Sequence, residues 1–187
     1  MKLGLTRRFR TLVAHVNTFR FAVRRKLLGF EYANILLSRL DKRSTELILR
    51  RNGAQIGRQC DIESGLFFHN CMDYSNLKIG DNCHIGKNCF FDLKSSVIIE
   101  DNVVISMRCN FITHTDLEKS PLSKIYPAET SGIRIRENCY LGINATVLKG
   151  VTIGKGSIVG ANALVLKSMP SGAIIGGVPA RKLKDIL

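Results

Sequence analysis

The spacing of apolar and polar residues divides the chain into two parts. From Leu5 to Phe30 the large apolar residues Leu5, Phe9, Leu12, Val16, Phe19, Val23, Leu27 and Phe30 step by three and four, which predicts an amphipathic helix. Arg7, Arg8, Arg10, Arg20, Arg24, Arg25 and Lys26 fall largely around its other faces. A second helical segment is expected over about 32–51, broken near Asp41, with Ser44 as candidate N-cap and Gly53 ending the helical part. Beyond Gly53 the period becomes six.

The hexads IRENCY, LGINAT, VLKGVT, IGKGSI, VGANAL and VLKSMP run without a gap from Ile135 to Pro170. Each opens with Ile, Leu or Val. The fifth place is small or apolar: Cys139, Ala145, Val151, Ser157, Ala163, Met169. The same register opens at Ile56, Ile79 and Ile85 and, after a shift of two residues, at Ile99 and Ile105. A fixed short period means one unit stacked on copies of itself. Six residues suit a short parallel strand plus a turn, three of which close one coil of a β-solenoid. About five coils are expected, beginning near 56, 79, 99, 135 and 153. Gly, Asp and Asn after the opening aliphatic suit tight turns. Residues 66–77 and 115–132 interrupt the pattern. The second is a polar loop with two prolines, and a long loop leaving a rigid scaffold is a functional suspect. The chain thus reads as a basic helical segment 1–52, a solenoid 53–170 carrying the loop 115–132, and a tail 171–187 ending in a short basic helix.

Composition and charge narrow the functional classes. A chain of 187 residues can bury one good core, and no run is apolar enough for a transmembrane helix. The basic N-terminus has its apolar residues broken by Arg, His and Asn, so no secretion signal is read there. Residues 1–52 hold 13 Lys/Arg against 3 Asp/Glu, while the other 135 hold 15 against 12. The net charge of +13 therefore belongs mostly to the N-terminal segment. Its stripe with flanking arginines suits either an anionic membrane surface or packing on the solenoid or a neighbouring subunit. No nucleic-acid module accompanies the charge. Five of the six cysteines, Cys60, Cys83, Cys89, Cys109 and Cys139, take the fifth place of a hexad and read as core filler. No C-x-x-C occurs, so no metal site is expected, and reduced thiols suit the cytoplasm.

The chain has no phosphate loop, nucleophile elbow or dinucleotide fingerprint. Of the four histidines, His15 lies in the N-terminal helix, His84 in a turn place, and His69 in the irregular first coil. His114 ends a coil and begins the long loop, so it is either a catalytic base facing a cleft or a satisfied turn histidine.

The hexads from about residue 54 to 187 resemble the hexapeptide-repeat acyltransferases. The resemblance implies a mainly β fold: a left-handed parallel β-helix of about five coils with an N-terminal helical segment and a short C-terminal helix. Thr113-His114-Thr115-Asp116 before the loop is similar to the motif of maltose-, galactoside- and nodulation-factor-type O-acetyltransferases and of bacterial surface-polysaccharide acetyltransferases. That likeness implies direct acetyl transfer from acetyl-CoA to a sugar hydroxyl with His114 as general base, a backbone N–H near Gly142 or Ile143 facing the oxyanion, and no covalent acyl-cysteine. Asp92 would contact the acceptor or be a turn residue. Asp116 would orient His114, bind sugar hydroxyls or merely begin the loop. Gly142, Ile143, Ala161, Leu166, Lys167, Arg181 and Lys184 hold the CoA places, and Gly177-Val-Pro-Ala-Arg181 fits the family's late Gly-x-Pro-x-Arg/Lys pattern. Tyr140-Leu141-Gly142 replaces the frequent Trp-Ile-Gly, and Ile143 and Leu166 replace hydroxyl residues. Family members are homotrimers with active sites between subunits. The implied setting is cytoplasmic, or peripheral on the inner face of the membrane. Transfer to an amine and a non-catalytic scaffold are the competing readings.

Overall fold

The computed structural model describes residues 2–186, with side chains from residue 8 onward. The side chains of Leu5 in the predicted stripe and of Arg7 outside it lie beyond the described residues. Helices α1 (Lys2–Leu28) and α2 (Phe30–Ile35) are separated at Gly29, whose φ of 88° is a conformation that side-chain-bearing residues avoid. A 3-10 turn over Leu36–Arg39 leads to α3 (Lys42–Arg51). Asp41, not Ser44, caps α3. Asp41 is the last extended residue, and its carboxylate accepts from the amides of Arg43 at 3.0 Å and Ser44 at 3.1 Å. Ser44 is already inside the helix, where its hydroxyl donates to Asp41 and accepts from the buried Asn17 amide.

The apolar stripe of α1 is not the face that packs. Ala14, Asn17, Thr18 and Phe21 face α2 and α3 and are buried. Phe9, Leu12, Val16, Phe19, Val23 and Leu27 stay exposed, and Phe30 is buried in α2. Phe21 and Phe30 meet Tyr74, a fully buried residue of the first interruption, and Tyr74 meets Phe68 of the first coil. The interruption thus docks the helices. It also spares the strand Phe67–His69, so the first coil is less disturbed than its sequence predicts.

The solenoid is a left-handed parallel β-helix with three faces. The first stacks the strands Gln55–Ile56, Leu77–Ile79, Val97–Ile99, Ile133–Ile135 and Thr152–Ile153. The second stacks strands beginning at Asp61, His84, Val104, Tyr140, Ile158 and Ala173, and the third those beginning at Phe67, Phe90, Asn110, Thr146 and Leu164. Ile56, Ile79, Ile99, Ile135 and Ile153 lie in register, as the coil count predicts. Parallel stacking in register puts identical hexad places on top of one another. The opening aliphatics therefore form buried columns, and Phe68, Phe91 and Phe111 fill that place on the third face as a ring stack. The fourth place turns with positive φ, occupied by Asn82, Asn88, Asn102, Asn138, Asn144 and Asn162 or by Gly150 and Gly156.

The fifth-place cysteines point inward, and each thiol reaches a carbonyl of the next coil. Cys83 donates to Glu100, Cys89 to Ser106, Cys109 to Gly142 and Cys139 to Gly154, at 3.1–3.3 Å. Cys60, in the terminal coil, is only half-buried but bonds Gly80 in the same way. Replacing all five by Ala is expected to cost about 1 kcal/mol per site and to leave acetyl transfer measurable. Chemical denaturation and turnover on one preparation check this, and a folded variant without turnover contradicts it.

The C-terminus differs from expectation. Residues 173–177 continue the second face beside Ile158–Val159, turn through a cis Val178–Pro179 bond, and return as the antiparallel strand Ala180–Asp185. No helix forms there. The last coil presents unpaired backbone groups, and a returning strand satisfies them where a helix could not.

Candidate active site

The third face ends in the corner that carries the candidate chemistry. Strand Phe90–Asp92 lies beside Phe67–His69, with His69 opposite Asp92, and Asn110–Ile112 lies on its other side. One coil after Asp92 the chain reaches Thr113 and His114. His114–Thr115 then pairs with Glu129–Thr130 as the base of a hairpin arm, and the 115–132 loop is this arm, with a 3-10 turn at Pro121–Lys124. Lys149, at the same corner one coil on, forms an ion pair with Glu129 that ties the arm down.

Asp92 is the hub. Its side chain is 2% exposed, and one oxygen lies 2.6 Å from His114 Nδ1. The same oxygen accepts from the Thr113 amide at 2.8 Å and hydroxyl at 3.0 Å. The other accepts from Asn70 Nδ2 at 3.0 Å and from the Lys94 amide at 3.3 Å. Burial by itself would raise the Asp92 carboxyl, but the hydrogen bonds from His114, Asn70 and Thr113 outweigh it and hold the group below its ordinary value. Asp92 is therefore an ionised, acceptor-only group. It can accept an Nδ1–H from His114, and in that tautomer Nε2 is the ring's acceptor. The imidazole is 26% exposed, so that nitrogen can meet a substrate. Asn70 Nδ2 lies 3.4 Å from both ring nitrogens and flanks the ring.

This geometry alters two expected roles. Asp92 sits behind His114 with its oxygens saturated, so an acceptor hydroxyl cannot reach it. Asp116, expected to orient His114 or to bind the acceptor, is exposed and caps its own turn by accepting from the Glu118 amide. The carboxylate in contact with the ring is that of Asp92. Asn70 carried no sequence signal, because it lies in the irregular segment and depends on a left-handed φ of 53°. His84 pairs with Asp61 on the second face, and His15 is exposed on α1. His69 is close by: with Glu31, Asn34, Asn70, Met72 and Lys94 it lines an open groove of about 540 Å³ beside the Asp92–His114 pair. Burial pushes the thiols of Cys71 and Cys83 up to about 12 and about 11, so neither is a ready thiolate nucleophile.

The residues expected at CoA lie at both ends of the third face and on the returning strand. Gly142 and Ala161 are stacked at the corner between the second and third faces, so close that a Cβ on Gly142 would sit 2.6 Å from the Ala161 amide nitrogen. The Gly142 N–H donates to the Val159 carbonyl at 2.8 Å and is not free to meet an oxyanion. Ile143, Leu166 and Lys167 are exposed, the last two at the far end of the third face. Arg181 and Lys184 are exposed on the returning strand.

Comparison with known proteins is consistent along the solenoid. The family model for bacterial transferase hexapeptide (six repeats) matches residues 132–167, and that for the hexapeptide repeat of succinyl-transferase matches residues 76–107. Galactoside O-acetyltransferase of Escherichia coli is 27% identical over 175 residues, 88% of this chain and 78% of that protein. Among solved structures, a hexapeptide-repeat acetyltransferase from Vibrio cholerae superposes with a TM-score of 0.72 at 25% identity, covering 82% of this chain and 86% of that one. A galactoside acetyltransferase in complex with coenzyme A gives a TM-score of 0.71 at 23% identity, over 94% and 80% of the two chains.

Proposed function

We propose that the chain is a hexapeptide-repeat acetyltransferase that transfers acetyl from acetyl-CoA directly to a sugar hydroxyl, with His114 as general base. The observation that carries the reading is the 2.6 Å contact between buried Asp92 and His114 Nδ1. A hydroxyl is a poor nucleophile until its proton leaves. Nε2 takes that proton as the oxygen attacks the thioester carbonyl, and the imidazolium formed is stabilised by the Asp92 carboxylate. The proton then passes from Nε2 to the leaving thiolate. The negative charge growing on the carbonyl oxygen is met by the Ile143 amide.

The donor site follows from the chain's own residues. The glycine at 142 lets the backbone of one coil lie against the next. Ile143, Ala161 and Leu166 offer backbone and apolar surface to the pantetheine arm, and Lys167, Arg181 and Lys184 offer charge to the CoA phosphates. His114 and Ile143 stand at opposite ends of the third face, about 15–20 Å apart at about 3.3 Å per residue. One chain therefore cannot bring its own base and oxyanion donor together. That separation supports a homotrimer in which one subunit supplies His114 with Leu166 and Lys167 at its corner and the neighbour supplies Ile143 and Ala161. The groove beside His114, with Glu31, Asn34, His69 and Lys94, suits a polyhydroxylated acceptor such as the glycan units of a surface polysaccharide.

Labelled acetyl-CoA offered with nucleotide-linked and lipid-linked sugars tests the proposal. The expected product is an acetyl ester, cleaved by mild alkali. An alkali-stable acetyl group would instead mean transfer to an amine.

A further inference from the structure

We propose that α1 docks the enzyme on an anionic lipid bilayer, lying along the surface through its exposed apolar stripe. Phe9, Leu12, Val16, Phe19, Val23 and Leu27 are 38–73% exposed. At about 100° per residue they fall within an arc of about 80°. The packed residues Ala14, Asn17, Thr18 and Phe21 lie on the opposite side of the same helix. No rotation of α1 buries both sets against its own chain, so the stripe needs an external apolar medium.

Charge identifies that medium. Residues 1–30 contain eight Lys/Arg and no Asp or Glu. Arg8 and Lys26 border the stripe on one edge and Arg20 and Arg24 on the other, where they can reach lipid phosphates while the aromatic and aliphatic residues enter the acyl boundary. Arg25 is turned away, bonding Asn52 and lying over the Phe30 ring. Two copies of α1 paired through their stripes would bring like charges together along the seam with no acid to neutralise them. Among the described residues no helix is long and apolar enough to cross a membrane, so α1 lies on the surface rather than spanning it. After Gly29 the chain continues into α2, whose Glu31 and Asn34 line the groove beside His114. Docking would therefore hold that groove near the bilayer, where lipid-carried glycans are presented. That consequence depends on the groove taking the acceptor; docking itself does not.

The full-length protein is sedimented with phosphatidylcholine vesicles, with and without phosphatidylglycerol, at low and high salt. Binding is expected to the anionic vesicles alone and to fall with salt. A triple variant Arg8→Gln, Arg24→Gln, Lys26→Gln is expected to bind about 100-fold more weakly, at about 1 kcal/mol per basic residue near the surface. Leu12→Gln with Phe19→Gln is expected to lose at least about tenfold. Both variants should keep the wild-type unfolding temperature and CoA binding, because all five side chains are exposed. Absence of binding to anionic vesicles, or equal binding to neutral ones, overturns the proposal. So does a change of sedimentation coefficient in the stripe variant, which would show that a second copy covers the face.

Discussion

His114→Ala is expected to lower kcat for acetyl transfer by roughly 10²–10⁴-fold, the range for losing a general base. CoA affinity should stay unchanged. The imidazole stands at the end of the third face, outside the aliphatic and phenylalanine columns, so the coil should survive its removal. Asp92 would keep its bonds from Thr113, Asn70 and Lys94, and no buried carboxylate would be left without partners. Steady-state kinetics and CoA calorimetry on one preparation measure both quantities. A kcat within a few-fold of wild type would move the base elsewhere, and His69, on the wall of the adjoining groove, would be the next residue to replace.

The second large effect is expected from Asp92→Asn, again about 10²–10⁴-fold in kcat with little change in KM for acetyl-CoA. Asparagine has the same shape, and its oxygen can still accept from Asn70 and the Lys94 amide, although the Thr113 amide loses its acceptor. Its NH₂ group, however, would donate to Nδ1. The ring would then carry its proton on Nε2 and could not act as a base. Asp92 is thus a positioning residue, and the telling readout is the pH–rate profile: the limb that reports the base should shift or vanish in the variant. A merely structural loss would scale the rate equally at every pH. Stability gives an independent check. Because the native carboxyl is held below its ordinary value, its ionisation stabilises the fold above the unfolded-state value of about 3.9. That contribution disappears as pH falls through the lowered native value. Thermal unfolding of the wild type should therefore weaken in acid below about pH 4 by a component that Asp92→Asn lacks. Identical acid limbs in both proteins would contradict the ionised Asp92.

The two experiments separate chemistry from location. Neither touches α1, and the vesicle experiment touches neither His114 nor Asp92. An enzyme that docks but does not acetylate sugars, or one that acetylates them without docking, would each leave the other conclusion standing.

The hexads by themselves determined the solenoid, its coil starts at Ile56, Ile79, Ile99, Ile135 and Ile153, and the inward direction of Cys83, Cys89, Cys109 and Cys139. The reason is that a stacked repeat converts place in the hexad directly into place in space. His114 could also be picked out, since the point where the repeat fails is visible along the chain. What the repeat does not encode is contact between coils at irregular places. Asp92 and His114 are 22 residues apart, and only the stacking of one coil on the next turns a presumed acceptor contact into the buried partner of an imidazole. Asn70 comes from an irregular turn 44 residues away from His114. Periodicity located one apolar stripe on α1 without saying whether it would pack, because that depends on the shape offered by α2, α3 and Tyr74. The C-terminal strand was likewise decided by the open edge of the last coil, whose unpaired backbone groups outweigh the local helical pattern of Ala180 to Asp185.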